Sequence, residues 1–195
     1  MSDVAVAVLA AGEGSRLGGR TPKPLVSFQG RPLAAWALDA AMASELRPVV
    51  LVVGHRAGVV SQAAPQGVTV VRAPRWRRGI AHSLGAALEA LEPYAQVQAV
   101  CIGLGDQPRV GADAYRRLAA AHADGAQLAV ATYGGDRGNP VLLGRSLWVE
   151  ARRLRGDVGA RALMDRYEVV EVDCSGSGDP ADVDTLDDLQ GLEDT

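Results

Sequence analysis

The sequence is poor in aromatic residues and in cysteine. Aromatic side chains make up 4% of its 195 residues, and the two cysteines, Cys101 and Cys174, stand far apart and outside any CxxC spacing. This usage argues against a disulfide scaffold and against a zinc site built from closely spaced cysteines. It is typical of a reducing compartment, so we expect a cytoplasmic protein.

The sequence also lacks a strong excess of charge of one sign. Its formal net charge is -3, whereas nucleic-acid-binding surfaces usually show a basic stripe with stacking aromatics. No apolar run approaches the roughly 18 residues of a membrane helix. The first apolar run, Val4 to Ala11, follows Asp3 rather than basic residues, so we interpret it as a buried strand and not as a signal peptide. We expect neither nucleic acid nor a membrane among the partners.

Short apolar runs alternate with amphipathic segments along the chain. The runs are unbroken and rich in β-branched residues, which is typical of strands covered on both faces. Strands are predicted over 4–9, 49–53, 68–71, 97–104 and 128–131. Apolar spacings of three and four predict helices over 33–46, 79–91 and 112–122. The alternation predicts an α/β fold, a three-layer α/β/α sandwich with a mainly parallel central sheet. At about 100 to 200 residues per domain, residues 1–195 should form one domain.

The pattern becomes less regular beyond residue 135. We expect an irregular segment at 138–143, two short helical pieces and a strand at 168–172. The segment 182–189 should start a last helix. Ligands of mainly parallel sheets usually bind at the carboxyl ends of the strands. The site is therefore predicted just after Leu9, near Gly54 and after Leu104.

A glycine-rich segment, LAAGEGSRLGGRTPKP, follows the first predicted strand and runs from Leu9 to Pro24. Glycines let backbone N–H groups approach phosphate oxygens closely. A dinucleotide-binding fingerprint does not fit, because Leu17 stands at the third glycine position. A P-loop does not fit, because Thr21 and Lys23 each precede a proline and are pushed away from the helical backbone that a P-loop needs. The remaining interpretation is a loop that cradles a triphosphate, with Arg16 and Lys23 as its cations.

Lysine and asparagine each occur only once. Lys23 is the single lysine among 20 basic residues, and it stands at the end of the glycine-rich segment. Lysine offers a compact point charge where arginine offers a planar fork, and the flanking Pro22 and Pro24 limit backbone freedom. We therefore interpret Lys23 as a phosphate contact. Asn139 is the single asparagine, and its position between Gly138 and Pro140 fits either a turn or a binding amide.

The pattern Leu9-Ala-Ala-Gly-x-Gly-x-Arg-x-Gly with Pro22-Lys23 resembles the signature of nucleotidyltransferases with a GT-A-like α/β fold. Four later segments narrow the resemblance to the molybdenum cofactor cytidylyltransferases: WxxGxxxSL at 76–84, LGDQP at 104–108, GNPV at 138–141 and GDVGARAL at 156–163. The resemblance covers nearly the whole chain. It implies a magnesium-dependent transfer of a cytidylyl group from CTP to the phosphate of molybdopterin or the molybdenum cofactor, with release of pyrophosphate.

The resemblance also implies roles for individual residues. Arg16, Lys23 and Asp106 would be catalytic, and Asp106 and Asp184 would hold Mg²⁺. The implied nucleotide contacts are Leu9, Ala10, Ala11, Gly12, Gly14, Ser15, Arg16, Lys23, Gly79, Ser83 and Asp106. The Gly79 N–H and the Ser83 hydroxyl would read the base and ribose. The implied acceptor contacts are Gly138, Asn139, Pro140 and Asp157.

Such a reaction needs little proton chemistry. The attacking phosphate monoester is largely a dianion near neutral pH, since its second pKa is about 6. The protein must instead align the nucleophile with the α-phosphorus and neutralise the charge of the transferring group and of pyrophosphate. Magnesium, held by a few carboxylates and by phosphate oxygens, would share that neutralisation.

Two departures from the family pattern leave the substrate open. Four residues separate Gly18 from Lys23, as in sugar-nucleotide enzymes, and Ala73 stands where the family usually has asparagine. Guanylyl transfer and sugar-phosphate nucleotidyl transfer are therefore alternatives, although Ala11 at the third loop position goes with CTP in the family. A non-catalytic molybdenum cofactor carrier would use the same pocket. The partners implied are CTP, a molybdopterin-type acceptor and a recipient molybdoenzyme or its chaperone.

Overall fold

The computed structural model describes residues 3–14 and 21–193. In chain order the strands and α-helices are β1 (Val4–Ala10), β2 (Ser27–Phe28), β3 (Arg31–Pro32), α1 (Leu33–Ala43), β4 (Val49–Val53), α2 (Ala57–Val60), β5 (Val68–Arg72), α3 (Ile80–Leu91), β6 (Ala99–Leu104), α4 (Ala112–Ala123), β7 (Leu128–Tyr133), β8 (Asp136–Gly144), α5 (Trp148–Ala151), β9 (Val170–Asp173) and α6 (Leu186–Glu193). Short 3-10 helices lie at Lys23–Leu25, Ser61–Ala63, Trp76–Arg78, Arg145–Leu147 and Ala160–Leu163.

The central sheet has seven strands in the order β5-β4-β1-β6-β8-β7-β9. β1 pairs in parallel with β4 and with β6, β4 with β5, and β7 with β9. Only β8 of this sheet runs antiparallel to both of its neighbours. The predicted α/β fold with a mainly parallel sheet is confirmed. The carboxyl ends of β1 and β6 lie side by side in its middle.

Helices cover both faces of the sheet. Alternate residues of β1 serve the two faces: Val6 and Val8 pack in one apolar cluster with side chains of α1 and α4, whereas Ala7 and Leu9 pack in the other with side chains of α3 and α5. Successive side chains of a strand point to opposite faces. A strand buried on both faces therefore needs an unbroken apolar run, which is what the sequence shows.

Two of the predicted segments differ most from the structure. The helix predicted over 33–46 ends at Ala43, and Glu45 adopts a left-handed backbone with φ of 65°. The segment 138–143, predicted to be irregular, lies within β8. Its register with β7 shifts between Val130 and Thr132, so Asn139 and Pro140 fall in the irregularity. Pro140 has no N–H to donate, and a proline therefore argues against a central strand. The shifted register removes this conflict, because the ladder between β7 and β8 is irregular at Pro140.

No helix in the described part of the chain is long and apolar enough to cross a membrane.

Candidate active site

Lys23 lies between two carboxylates. Its Nζ is 2.5 Å from Asp106 Oδ2 and 2.6 Å from Asp184 Oδ1, and only 12% of its side chain is exposed. Burial alone would lower the pKa of Lys23, but the charges and hydrogen bonds of Asp106 and Asp184 outweigh it and raise the pKa above its usual value. The ammonium therefore stays charged at neutral pH and offsets part of the charge of the pair.

The glycine-rich segment fixes the position of Lys23. Gly14 has a φ of +67°, and a Cβ atom there would overlap the Cβ of Lys23. Lys23 also begins a 3-10 helix in which the Val26 N–H donates to its carbonyl oxygen at 3.1 Å. A residue without a side chain at position 14 and a constrained backbone at position 23 thus bring the lysine close to the loop.

Asp106 is placed by the sheet. β6 ends at Leu104, and the Gly105 N–H donates to the Leu9 carbonyl oxygen of β1 at 2.9 Å. Asp106 therefore follows the carboxyl end of β6, directly beside the end of β1. Its Oδ1 is buried and has no hydrogen-bond partner among the described residues. A buried carboxylate oxygen without a donor is suited to a cation.

Asp184 reaches the site through a distant segment that docks onto the end of β6. The Val183 N–H donates to the Asp106 carbonyl oxygen at 3.0 Å, and Gln107 Nε2 donates to the Pro180 carbonyl oxygen at 2.6 Å. Val183 is fully buried, in a cluster with Phe28 and Leu33. These contacts hold Asp184 beside Asp106 although 78 positions separate them in the chain.

Val183 should therefore be an anchor of the site. Replacing it with alanine should lower the free energy of unfolding by about 1 to 3 kcal/mol, because the change removes two buried methyl groups and leaves a cavity. Urea denaturation monitored by circular dichroism measures this. The matched control is Val149→Ala, since Val149 is 60% exposed and its truncation should cost less than about 0.5 kcal/mol. Equal losses for the two variants would contradict the anchoring role.

The carboxylate pair fits a divalent cation. One oxygen each of Asp106 and Asp184 lies within 2.6 Å of the same atom, so the two oxygens are near enough to bind one ion. Residues 3–14 and 21–193 contain no group of three or more His, Cys, Asp or Glu side chains arranged to hold a metal. Two carboxylates match the way Mg²⁺ is usually bound, by one or two carboxylates together with substrate phosphates and water.

Asp182 adds negative charge next to the pair. The residue is exposed overall, yet partial desolvation of its carboxyl raises its pKa, and the charges of Asp106 and Asp184 act in the same direction. Lys23 and a hydrogen bond from Gln107 oppose this shift. The cluster therefore attracts cations beyond the single ammonium of Lys23.

Two cavities flank the loop at the end of β1. The larger of these, about 340 Å³, is lined by six of the predicted nucleotide contacts, namely Leu9, Ala11, Gly12, Gly79, Ser83 and Asp106. The smaller, about 50 Å³, includes Ala10, Lys23 and Asp106 in its lining. We refer to the 340 Å³ space as the nucleotide cavity. The structure thus brings these predicted residues together, whereas Ser15 and Arg16 lie outside the described residues.

The structure gives Gly79 a second role. Its N–H donates to the Trp76 carbonyl oxygen at 3.0 Å, and the reading of the base by this N–H stays a prediction. Gly79 has a φ of +103°, and a Cβ there would overlap the backbone of Gly156. The Ala81 N–H donates to the Gly156 carbonyl oxygen at 3.2 Å. Gly79 therefore allows the segment of Gly156 and Asp157 to approach the start of α3.

A third space, about 570 Å³, is lined by Gly138, Asn139 and Asp157 among the predicted acceptor contacts. We refer to it as the acceptor cavity. Pro140 is not in the described lining, and its peptide bond to Asn139 is cis. Tyr133 Oη donates to the Asn139 carbonyl oxygen at 2.8 Å. The lining also has an apolar part, formed by Leu9, Ile80, Leu84, Ile102, Leu104 and Val141.

The nucleotide and acceptor cavities share the walls formed by Leu9, Ile80, Leu104 and Asp157. Asp106 lines the first and Asp182 lines the second. Two ligands bound in these spaces would therefore be neighbours, the first in contact with the wall that holds Asp106 and the second with the wall that holds Asp182.

Sequence reasoning did not select Gln107 or Asp182, which both line the acceptor cavity. A signal was present for each. Gln107 directly follows Asp106, and Asp182 stands two positions before Asp184, a spacing that places two residues of an extended segment on the same side.

The chain matches the MobA-like NTP transferase domain over residues 6–172. The crystal structure of Rv0371c from Mycobacterium tuberculosis H37Rv is similar over 100% of this chain and 99% of its own, with a TM-score of 0.86 and 31% identity. A structure of Rv0371c in complex with manganese covers 100% and 99%, with a TM-score of 0.80 and 30% identity.

Two relatives with other names are also similar in sequence. Nicotine blue oxidoreductase of Paenarthrobacter nicotinovorans is 30% identical, over 95% of this chain and 94% of its own length. The bifunctional protein GlmU of Anaeromyxobacter sp. (strain Fw109-5) is 40% identical over 66% of this chain, which spans only 27% of the length of that relative.

Proposed function

Because the chain belongs to the MobA-like NTP transferase family, we propose that it transfers a cytidylyl group from CTP to the phosphate of molybdopterin or the molybdenum cofactor and releases pyrophosphate. Nucleotidyl transfer follows from the family, whereas the base and the acceptor are our proposal. The observation that carries it is the contact of Lys23 with Asp106 and Asp184, since Asp106 also lines the nucleotide cavity, which adjoins the acceptor cavity.

The site residues would serve the reaction mainly through charge and position. The glycine loop after β1 would receive the triphosphate of CTP, with the ammonium of Lys23 and the guanidinium of Arg16 neutralising its phosphates. Asp106 and Asp184 would hold Mg²⁺, which supplies further charge neutralisation when bound. Ser83, buried in the wall of the nucleotide cavity, would contact the nucleoside.

The acceptor would bind in the acceptor cavity with its phosphate towards Asp106. A phosphate dianion needs no general base, so in-line placement is the main requirement. The apolar wall of the cavity supports a planar ring system as the acceptor more than a sugar, whose hydroxyl groups need polar partners on every side. Gly138, Asn139 and Asp157 would position that ring.

Three further statements belong to this proposal. We place the protein in the cytoplasm, which the two free and buried cysteines support. We take residues 1–195 as one nucleotidyltransferase domain, supported by a single seven-stranded sheet that draws strands from Val4 to Asp173. We propose a recipient molybdoenzyme or its chaperone as the partner that accepts the product.

Pyrophosphate release tests the proposal. Purified protein is assayed with a molybdopterin-type acceptor, Mg²⁺ and either CTP or GTP, and each reaction is repeated without acceptor. We expect acceptor-dependent release with a kcat/KM for CTP at least about tenfold above that for GTP, a difference of about 1.4 kcal/mol in transition-state binding.

The alternatives give different results in the same assay. Preference for GTP would indicate guanylyl transfer, and turnover with a sugar 1-phosphate but not with molybdopterin would indicate a sugar-nucleotide enzyme. Tight binding of the pterin acceptor without any pyrophosphate release would indicate a carrier. Each of these outcomes would overturn the proposed cytidylyl transfer.

A further inference from the structure

We infer that Lys23 is an internal counter-ion that occupies the Asp106–Asp184 pair in the resting protein and must leave it before a divalent cation can bind there. The binding of the cation and the binding of a triphosphate are then coupled, because both depend on the movement of the Lys23 side chain. The inference rests on the proposed function only in taking this pair as the cation site.

The geometry makes the two cations competitors. Lys23 Nζ already lies 2.5 and 2.6 Å from the facing oxygens of the two carboxylates. A magnesium ion is held at about 2.1 Å from its oxygen ligands. An ion bound to the same two oxygens would therefore overlap the ammonium, and the two positive charges would also repel each other strongly.

The backbone around Lys23 limits how its ammonium can move. Its backbone is constrained between Pro22 and Pro24, and Gly14 packs against its Cβ. Rotation of the side-chain torsions beyond Cβ is therefore the means of moving the ammonium. Lys23 also lines the small cavity that contains Gly12 of the glycine loop. A phosphate bound at the loop would give the ammonium a new partner.

The consequence is positive coupling. A divalent cation alone must displace an ammonium that is tethered between both carboxylates, whereas a triphosphate at the loop draws the ammonium away and exposes both carboxylates. By linkage, the cation strengthens triphosphate binding by the same factor. Removing the ammonium should therefore tighten the binding of the cation alone.

The first test uses the fact that Lys23 is the only lysine. Protein labelled with ¹⁵N,¹³C-lysine gives one ammonium signal in NMR spectra. Mg²⁺ is first added without phosphate, at a concentration too low to bind the pair under those conditions. We expect the chemical shift of the Lys23 ammonium to stay unchanged. Addition of tripolyphosphate with the same Mg²⁺ should move it to a new position. An unmoved signal at saturating Mg²⁺ and tripolyphosphate would overturn the inference.

The second test measures Mn²⁺ affinity by electron paramagnetic resonance without nucleotide. Lys23→Met should bind Mn²⁺ at least about tenfold more tightly than the unmodified protein, because the competing charge is gone. Arg77→Met is the matched control, since Arg77 lines the nucleotide cavity with Asp106 but stacks on Trp76. Arg77→Met should change the affinity for Mn²⁺ less than about threefold. In the described part of the chain Asp106 and Asp184 pair with Lys23 rather than with Arg77, so solvent and salt screen the effect of the Arg77 charge on a cation bound there.

Equal or weaker Mn²⁺ binding by Lys23→Met, or an equal gain in Arg77→Met, would contradict the inference. Neither test contains CTP or molybdopterin. A failed turnover assay with normal coupling would therefore reject only the proposed substrates, whereas absence of coupling in an enzyme with turnover would reject only the role of Lys23 as counter-ion.

Discussion

Replacing Asp106 with asparagine should lower kcat at least about 100-fold, the loss expected when one charged group that stabilises the transition state is removed. Asparagine keeps the size of the side chain but loses its charge, and its NH₂ group can no longer accept from Lys23, whose Nζ lies 2.5 Å from Asp106 Oδ2. The buried Oδ1, which has no donor among the described residues, would also lose its charge as a cation ligand.

Pyrophosphate release at saturating substrates gives kcat, and the thermal midpoint of each variant reports whether the fold is intact. Asp113→Asn is the matched control, because Asp113 is an exposed aspartate whose partner is Arg116 one turn away in α4. It should keep at least about half of the activity, as exposed pairs of this kind contribute little. If Asp106→Asn kept as much, Asp106 would have no role in the reaction.

Much of the fold was predictable because a strand buried on both faces of a sheet requires an unbroken run of apolar residues, which the sequence shows directly. β1 is buried at all seven positions, and its run of small and β-branched apolar residues admits few other interpretations. β8 was not recognised because Asn139 and Pro140 interrupt its pattern. The register shift against β7 shows how the strand accommodates these two residues. Register depends on the partner strand, so the sequence of β8 alone does not reveal it.

The site was predictable in part. Lys23 and Asp106 both follow the carboxyl ends of strands, and β1 and β6 are neighbours, so topology brings them together. Asp184 was reached only through the family resemblance. Its position depends on the burial of Val183 and on backbone hydrogen bonds to the end of β6, and such contacts between distant segments leave no local pattern. That the Gly79 N–H reads the base stays a prediction, and within the protein this N–H donates to the Trp76 carbonyl oxygen.

Replacing Gly79 with alanine should damage both stability and nucleotide binding. Its φ of +103° is unfavourable for a residue with a Cβ, and that Cβ would overlap the backbone of Gly156, which cannot move as a flexible side chain would. We expect the free energy of unfolding to fall by about 1 to 3 kcal/mol. Because Gly79 lines the nucleotide cavity and positions Asp157 in its wall, KM for the nucleotide should rise about tenfold or more.

Gly85 supplies the matched control within the same helix. It lies in the middle of α3, and a Cβ there meets no atom within 4 Å. Gly85→Ala should therefore raise the free energy of unfolding by up to about 1 kcal/mol, the difference in helix propensity, and leave KM unchanged. Urea denaturation and steady-state kinetics on both variants separate a general intolerance of substitution in α3 from a specific one. If Gly79→Ala were as stable and as active as Gly85→Ala, the close approach of Gly156 to α3 would not be what shapes the nucleotide cavity.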